Sequence, residues 1–180
     1  MSAPRVLIGG VGHRWQRDAS FGLIVCDALA GMGWPAGVEV ADLGYGALYV
    51  AQDLAAAEPP YDRLILLAGM PRERRPGRVY CRPWEEGGHC PEEIQARIRE
   101  AGAGVIDLDH LLVIGRHLAA LPPDVLLVEL EPVDATWGEA LTPAANALVP
   151  PVVDLVREVA QAPIEQFRAC RQLSETGGVS

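Results

Sequence analysis

The sequence predicts a three-layer α/β/α domain with a mostly parallel sheet. Three observations carry that expectation. Short apolar runs rich in Val, Ile and Leu recur at 6–8, 38–42, 63–68 and 124–131 and read as strands. Helical patterns separate most of them, and strand–helix alternation is the signature of a parallel sheet covered by helices. The run Leu64–Ala68 is apolar throughout, as a strand buried on both faces requires.

Val6–Ile8 is the first strand, followed at once by Gly9, Gly10 and Gly12, which read as a tight glycine loop. A polar loop, His13 to Asp18, precedes Ser20 and a helix whose Phe21, Ile24, Val25, Ala28 and Leu29 share one face. Val38–Asp42 is the second strand and ends on a carboxylate. Leu43–Gly46 is a loop, and 47–57 an Ala-rich helix stopped by Pro59-Pro60. After the third strand, 71–78 (PRERRPGR) is a charged turn, read as a solvated loop. Val79–Arg82 fits a short edge strand ended by Pro83. Pro91 opens a charged helix to Ala101. Asp107 caps the next, expected to reach about Ala120 with Leu111, Leu112, Ile114 and Leu118 on its buried side. Asp124–Glu131 is the last strand, its Glu129 and Glu131, like Asp134 beyond, read as solvated ends. Thr142-Pro143 opens the final helix, in which Pro150-Pro151 predicts a break or kink near Val149. Residues 1–173 are expected to form a single domain, 164–172 a terminal turn or two, and 174–180 a disordered tail.

A net charge of −9 argues against a nucleic-acid binder, which needs a basic surface. All the cationic side chains are Arg; there is no Lys. No run reaches the roughly 20 apolar residues of a membrane helix, and no signal peptide is visible. A cytoplasmic protein is therefore expected, and its four scattered cysteines should be reduced.

The glycine loop fails as a dinucleotide fingerprint, because Gly10-x-Gly12 is followed by Arg14, Trp15 and Gln16. No Walker lysine and no G-x-S-x-G elbow exist. Cys81, His89 and Cys90 are too loose a set for a metal loop. Asp18, Asp42 and His110 form a better group. Asp18 lies on the loop after the first strand and Asp42 at the carboxyl end of the second, where ligands bind in open α/β sheets. His110 falls in the first turn of a helix, whose dipole disfavours protonation.

With these residues in view, the chain resembles the hydrogenase maturation proteases, the endopeptidases that trim the C-terminal extension of nickel–iron hydrogenase large subunits. Val6–Leu29 is similar to their strand, G-x-G-N loop and acidic pair. Residues 38–46 (VEVADLGYG) resemble their D-G-G-T-x-G segment, and 62–70 (DRLILLAGM) their D-x-L-I-I-x-D-A segment. Pro76-Gly77, His110, Leu126–Pro132 and Leu141-Thr142-Pro143 follow in the family's order. The resemblance implies the three-layer fold and a nickel site made by a glutamate, an aspartate and a histidine. Those positions fall at Ala19, Ala68 and His110. Only the imidazole is retained, and a methyl group cannot ligate a metal. The G-x-G-N asparagine is His13, and Trp84–Ala101 matches poorly.

The expectation that follows is a divergent protein of this kind that recognises a hydrogenase large-subunit precursor, through Asp42, Leu43, Gly44, Tyr45 and Gly46, with peptidase activity in question. No cofactor is expected to bind tightly, and nickel would enter with the substrate. One alternative is an active endopeptidase with a metal site rebuilt from His13, Asp18, Asp42 and His110. Another is a small-molecule-binding α/β domain with a phosphate nest at Gly10–Gly12.

Overall fold

The computed structural model describes residues 4–163; the terminal turn and tail expected at 164–180 lie outside them. Five strands, β1 (Val6–Val11), β2 (Val38–Asp42), β3 (Arg63–Gly69), β4 (Val79–Pro83) and β5 (Asp124–Leu130), form one sheet in the order β2-β1-β3-β5-β4. All neighbours run parallel except β4, which pairs antiparallel to β5 at the edge. The helices are α1 (Phe21–Ala30), α2 (Ala47–Ala56), α3 (Pro91–Gly102), α4 (Leu108–His117) and α5 (Pro143–Gln161).

Strand alternation divides the core in two. Leu7, Val11, Leu64, Leu66, Ala68, Val125 and Leu127 face α2 and α4. Val6, Ile8, Ile65, Leu67, Leu126 and Val128 face α1 and α5. Arg63, 3% exposed at the start of β3, pairs with Asp124 and donates to the carbonyls of Val159 and Ala162. A cation thus ends α5 where its dipole is negative.

Three local expectations change. β1 runs on through Gly9 and Gly10, which lie in the ladder opposite Ala41 and Asp42; there is no glycine nest there, and the phosphate-site alternative loses its basis. Gly10 belongs in the strand because a Cβ there would sit 2.7 Å from the Gly22 carbonyl of α1. α4 stops at His117, and Leu118 is 41% exposed rather than buried. α5 is helical through Pro150 and Pro151, so the break expected as one alternative is absent. An interior proline costs about 3 kcal/mol, and here a buried stripe of Val152, Val153, Val156, Val159 and Ala160 offsets it. The two expected caps do form: Asp107 accepts from the Asp109 and His110 amides, and the Thr142 hydroxyl from Ala145.

Candidate functional site

The carboxyl ends of β1, β3 and β5 bring together the β1–α1 loop, the β3–β4 loop, the start of α4 and the β5–α5 loop. Asp18, in a short 3-10 turn (Arg17–Ser20), is fully buried. Its carboxylate accepts from the amides of Val133, Asp134 and Thr142 and from the Thr142 hydroxyl, at 2.8–3.2 Å. Its own amide donates to the Asp134 carbonyl. These contacts occupy both oxygens, so Asp18 fastens the β5–α5 loop to the β1–α1 loop and is not placed as a metal ligand.

Ala19 lies against the end of β3: a Cβ on Gly69 would be 2.8 Å from the Ala19 Cα, and one on Gly22 equally close to the Ala68 Cα. The two positions that the resemblance assigns to carboxylates are therefore neighbours, and both carry methyl groups. Ala68 is 1% exposed and packs in the core beside Leu108 and Leu111 of α4.

One strand over, opposite Ala68 and on the same face, stands Glu129. It is fully buried. Arg72 donates to it from Nε and Nη2, at 3.0 and 2.7 Å, and binds Asp109 of α4 through both Nη atoms, at 2.7 and 2.6 Å. Arg74 and Arg82 approach the other Glu129 oxygen at 3.1 and 3.5 Å. Glu131, also buried, takes the Arg72 amide and Arg74 Nε. Arg74 further stacks on the Tyr80 ring, 4.2 Å from its centroid. Burial alone would raise the Glu131 pKa. The Arg72 amide and the Arg74 guanidinium and amide outweigh it and hold it below the ordinary carboxylate value. Arg72 titrates above its ordinary value because Asp109 and Glu129 bind its charged form against burial. Glu129 and Glu131 are thus not solvated ends, and the charged turn is not a free loop: half its arginines, Arg72 and Arg74, are drawn inward. The available signal was the alternation Val125, Leu127, Glu129, Glu131, which puts both glutamates on the face of β5 that packs toward α2 and α4.

His110 is 4% exposed. Its Nε2 meets Glu100 of α3 at 2.7 Å and its Nδ1 meets Asp107 at 3.1 Å, with Arg97 at 3.4 Å. Both ring nitrogens have protein partners. The poorly matched segment supplies α3, which together with the Asp107 cap holds this histidine.

Asp42 is half exposed, accepts from the Gly44 amide and pairs with Arg14, which also grips Asp27. Together those carboxylates raise the Arg14 pKa. Within the expected recognition loop, Leu43 is buried core and only Tyr45 presents a large exposed side chain. The Tyr45 hydroxyl donates to Asp53, and burial followed by that bond raises its pKa. His13 is half-buried on the β1–α1 loop. Among the described residues no three His, Cys, Asp or Glu side chains converge as a metal site. The rebuilt set of His13, Asp18, Asp42 and His110 is therefore not assembled. The residues present do not fit the implied ligand set, since Ala19 and Ala68 offer no donor atoms and the nearby carboxylates already bind guanidinium groups.

Sequence reasoning also missed an exposed aromatic pair. Trp15 is 56% and Trp137 75% exposed. The Gly138 amide donates to the Trp15 carbonyl and the Arg17 amide to the Gly138 carbonyl, tying the two loops together.

The sheet order, the antiparallel edge strand and this arrangement of loops define a hydrogenase maturation protease-like fold. A hydrogenase 2 maturation peptidase from Thaumarchaeota archaeon SCGC_AB-539-E09 is 29% identical, with a TM-score of 0.61 over 86% of this chain and 97% of that one. An endopeptidase from Escherichia coli is 25% identical, with a TM-score of 0.64 over 84% and 89%. The hydrogenase maturating endopeptidase HybD from E. coli, 22% identical, shares the fold with a TM-score of 0.63 over 96% and 94%. No family model and no curated protein matches the sequence. No described helix is long and apolar enough to cross a membrane.

Proposed function

We propose that this chain acts in nickel–iron hydrogenase maturation by recognising a large-subunit precursor, without cleaving it. The observation that carries the reading is the pair Ala19 and Ala68, side by side at the carboxyl edge. There the resemblance calls for two carboxylate ligands, while the adjacent Glu129 is neutralised by Arg72, Arg74 and Arg82. Exposed Trp15, Val133 and Trp137 on these loops, and Tyr45 on the β2–α2 loop, supply apolar contact area of the kind that marks interaction surfaces. Mixing the protein with a nickel-loaded precursor tests the reading. The expected result is a stable complex in which mass spectrometry finds the precursor tail intact. Tail removal would restore the peptidase; no complex would remove the recognition role.

A further inference from the structure

An open groove on the α1/α5 side of the sheet is lined by none of Ala19, Ala68 and Glu129. It has a volume of about 730 Å³ and runs between the β3–β4 loop, β4 and α5. Its floor is apolar: Val79 and Cys81 from β4, and Leu148, Val152 and Leu155 from α5. These side chains continue the core on the α1/α5 face. At its rim stand Arg75 and Arg78, both exposed.

Those two arginines differ from their neighbours. Arg72 and Arg74 are ion-paired with Asp109, Glu129 and Glu131. Among the described residues Arg75 and Arg78 make no ion pair. Asp154 on α5 is exposed and does not line the groove. In a chain of net charge −9, an apolar trough edged by two uncompensated cations is a local reversal of sign. Complementary charge at a rim steers and selects partners.

One end of the groove opens at the carboxyl edge. The Gly77 amide donates to the Glu131 carbonyl. Gly77 has a φ of +71°, and a Cβ there would meet Val133 Cγ2 at 3.3 Å. The mouth is therefore continuous with the loop that carries exposed Val133 and Trp137.

We propose that this groove binds an acidic, apolar peptide segment of the protein the chain recognises. Apolar side chains would fill the trough and carboxylates would meet Arg75 and Arg78. The proposal rests on the recognition role above and gives it a substrate chemistry. The chain's own residues 164–180 fit less well, because their two glutamates are balanced by two arginines.

Fluorescence anisotropy on the full chain tests it, with a labelled peptide of alternating Leu and Glu as probe. Two controls replace Glu by Arg, or Leu by Ser. The Leu–Glu probe should bind at least about tenfold more tightly than either control and should weaken as salt rises. Arg75→Glu with Arg78→Glu, both exposed, should reduce binding about tenfold or more without changing the melting temperature. Leu155→Asp should reduce it through the floor. Equal binding of all three probes, or no loss in the charge-reversed variant, overturns the proposal. So does tighter probe binding in Phe167→Ala/Leu173→Ala, which would make the chain's own C-terminal segment the occupant. A dimer in sedimentation that Leu155→Asp dissociates would make it a second copy instead, and overturns it too. A precursor pull-down separates the two levels. Probe binding with no precursor retained refutes the recognition role and leaves the groove. Precursor retained equally by the charge-reversed variant supports that role and refutes the groove's part in it.

Discussion

Replacing Arg72 by Met is the sharpest probe of the edge. The side chain is 23% exposed, Glu129 not at all and Asp109 33%. Methionine keeps much of the stem's volume but removes four hydrogen bonds. Breaking a buried pair by deleting one partner costs about 3–5 kcal/mol, because the other charge stays buried. Two facts pull the figure to the low end. Glu129 keeps Arg74 at 3.1 Å and Arg82 at 3.5 Å, and Asp109 can turn to water. About 3 kcal/mol is expected, or roughly 6–12 °C in melting temperature for a domain of this size. Urea and thermal unfolding measure it. Arg72→Lys should recover only part, since an ammonium cannot reproduce the bidentate fork on Asp109. Arg72→Met with Glu129→Gln should recover much of the loss, because no unpaired carboxylate is left buried. A loss below about 1 kcal/mol for Arg72→Met would class the contacts with ordinary surface pairs and refute the idea of a structural clasp.

Further outcomes are expected. Asp18→Ala should cost about 3 kcal/mol or more, because four donors lose a buried acceptor, and should raise protease susceptibility in the 132–141 loop; an unchanged melting temperature would show that the loop is held otherwise. Glu131 is held below its ordinary pKa in the fold, so its contribution is present above the unfolded value of about 4.3 and is lost as pH falls through the lower folded value. Stability should therefore fall less steeply with acid in Glu131→Gln than in wild type, and parallel profiles would contradict this. Calorimetric titration of wild type with Ni²⁺ should show no tight one-to-one site lost in His110→Ala. In Ala19→Glu/Ala68→Asp, adding Ni²⁺ should raise a melting temperature lowered by the new carboxylates; no rise would mean His110, turned toward Glu100, cannot join them.

The parts of the fold set by periodicity and caps were legible in the sequence. The strands, the edge position of β4 and the Asp107 and Thr142 caps all follow from patterns within a few residues. The site was less legible because its partners are distant in the chain. Asp18 meets amides 115–124 positions away, and nothing local separates a buried fastener from a ligand. His110 is held by Asp107 and by Glu100 of α3, and α3 lies in the segment that resembles the family poorly. Arg72 and Arg74 look like Arg75 and Arg78 in sequence, and only the fold assigns one pair inward and the other to a groove. The continuity of α5 shows the converse: two prolines are a strong local signal, yet an apolar stripe overrides it.

The absence of lysine acquires a physical meaning at this edge. A guanidinium presents several donors in a fixed plane and stays charged, so one Arg72 can hold a strand glutamate and a helix aspartate at once, while Arg74 and Arg82 take the remaining oxygen. Electrostatically the cluster is balanced: three arginines face Glu129, Glu131 and Asp109. A catalytic metal ion also supplies positive charge among carboxylates, but it keeps an exchangeable position that lowers the pKa of bound water. A guanidinium has no such position and donates only hydrogen bonds. The guanidinium groups therefore supply the charge balance of a cation among carboxylates, and among the described residues no metal-holding cluster stands beside them. Under the proposed recognition role, this cluster holds the edge in place for binding a peptide tail, and a complex with the tail intact is the expected outcome.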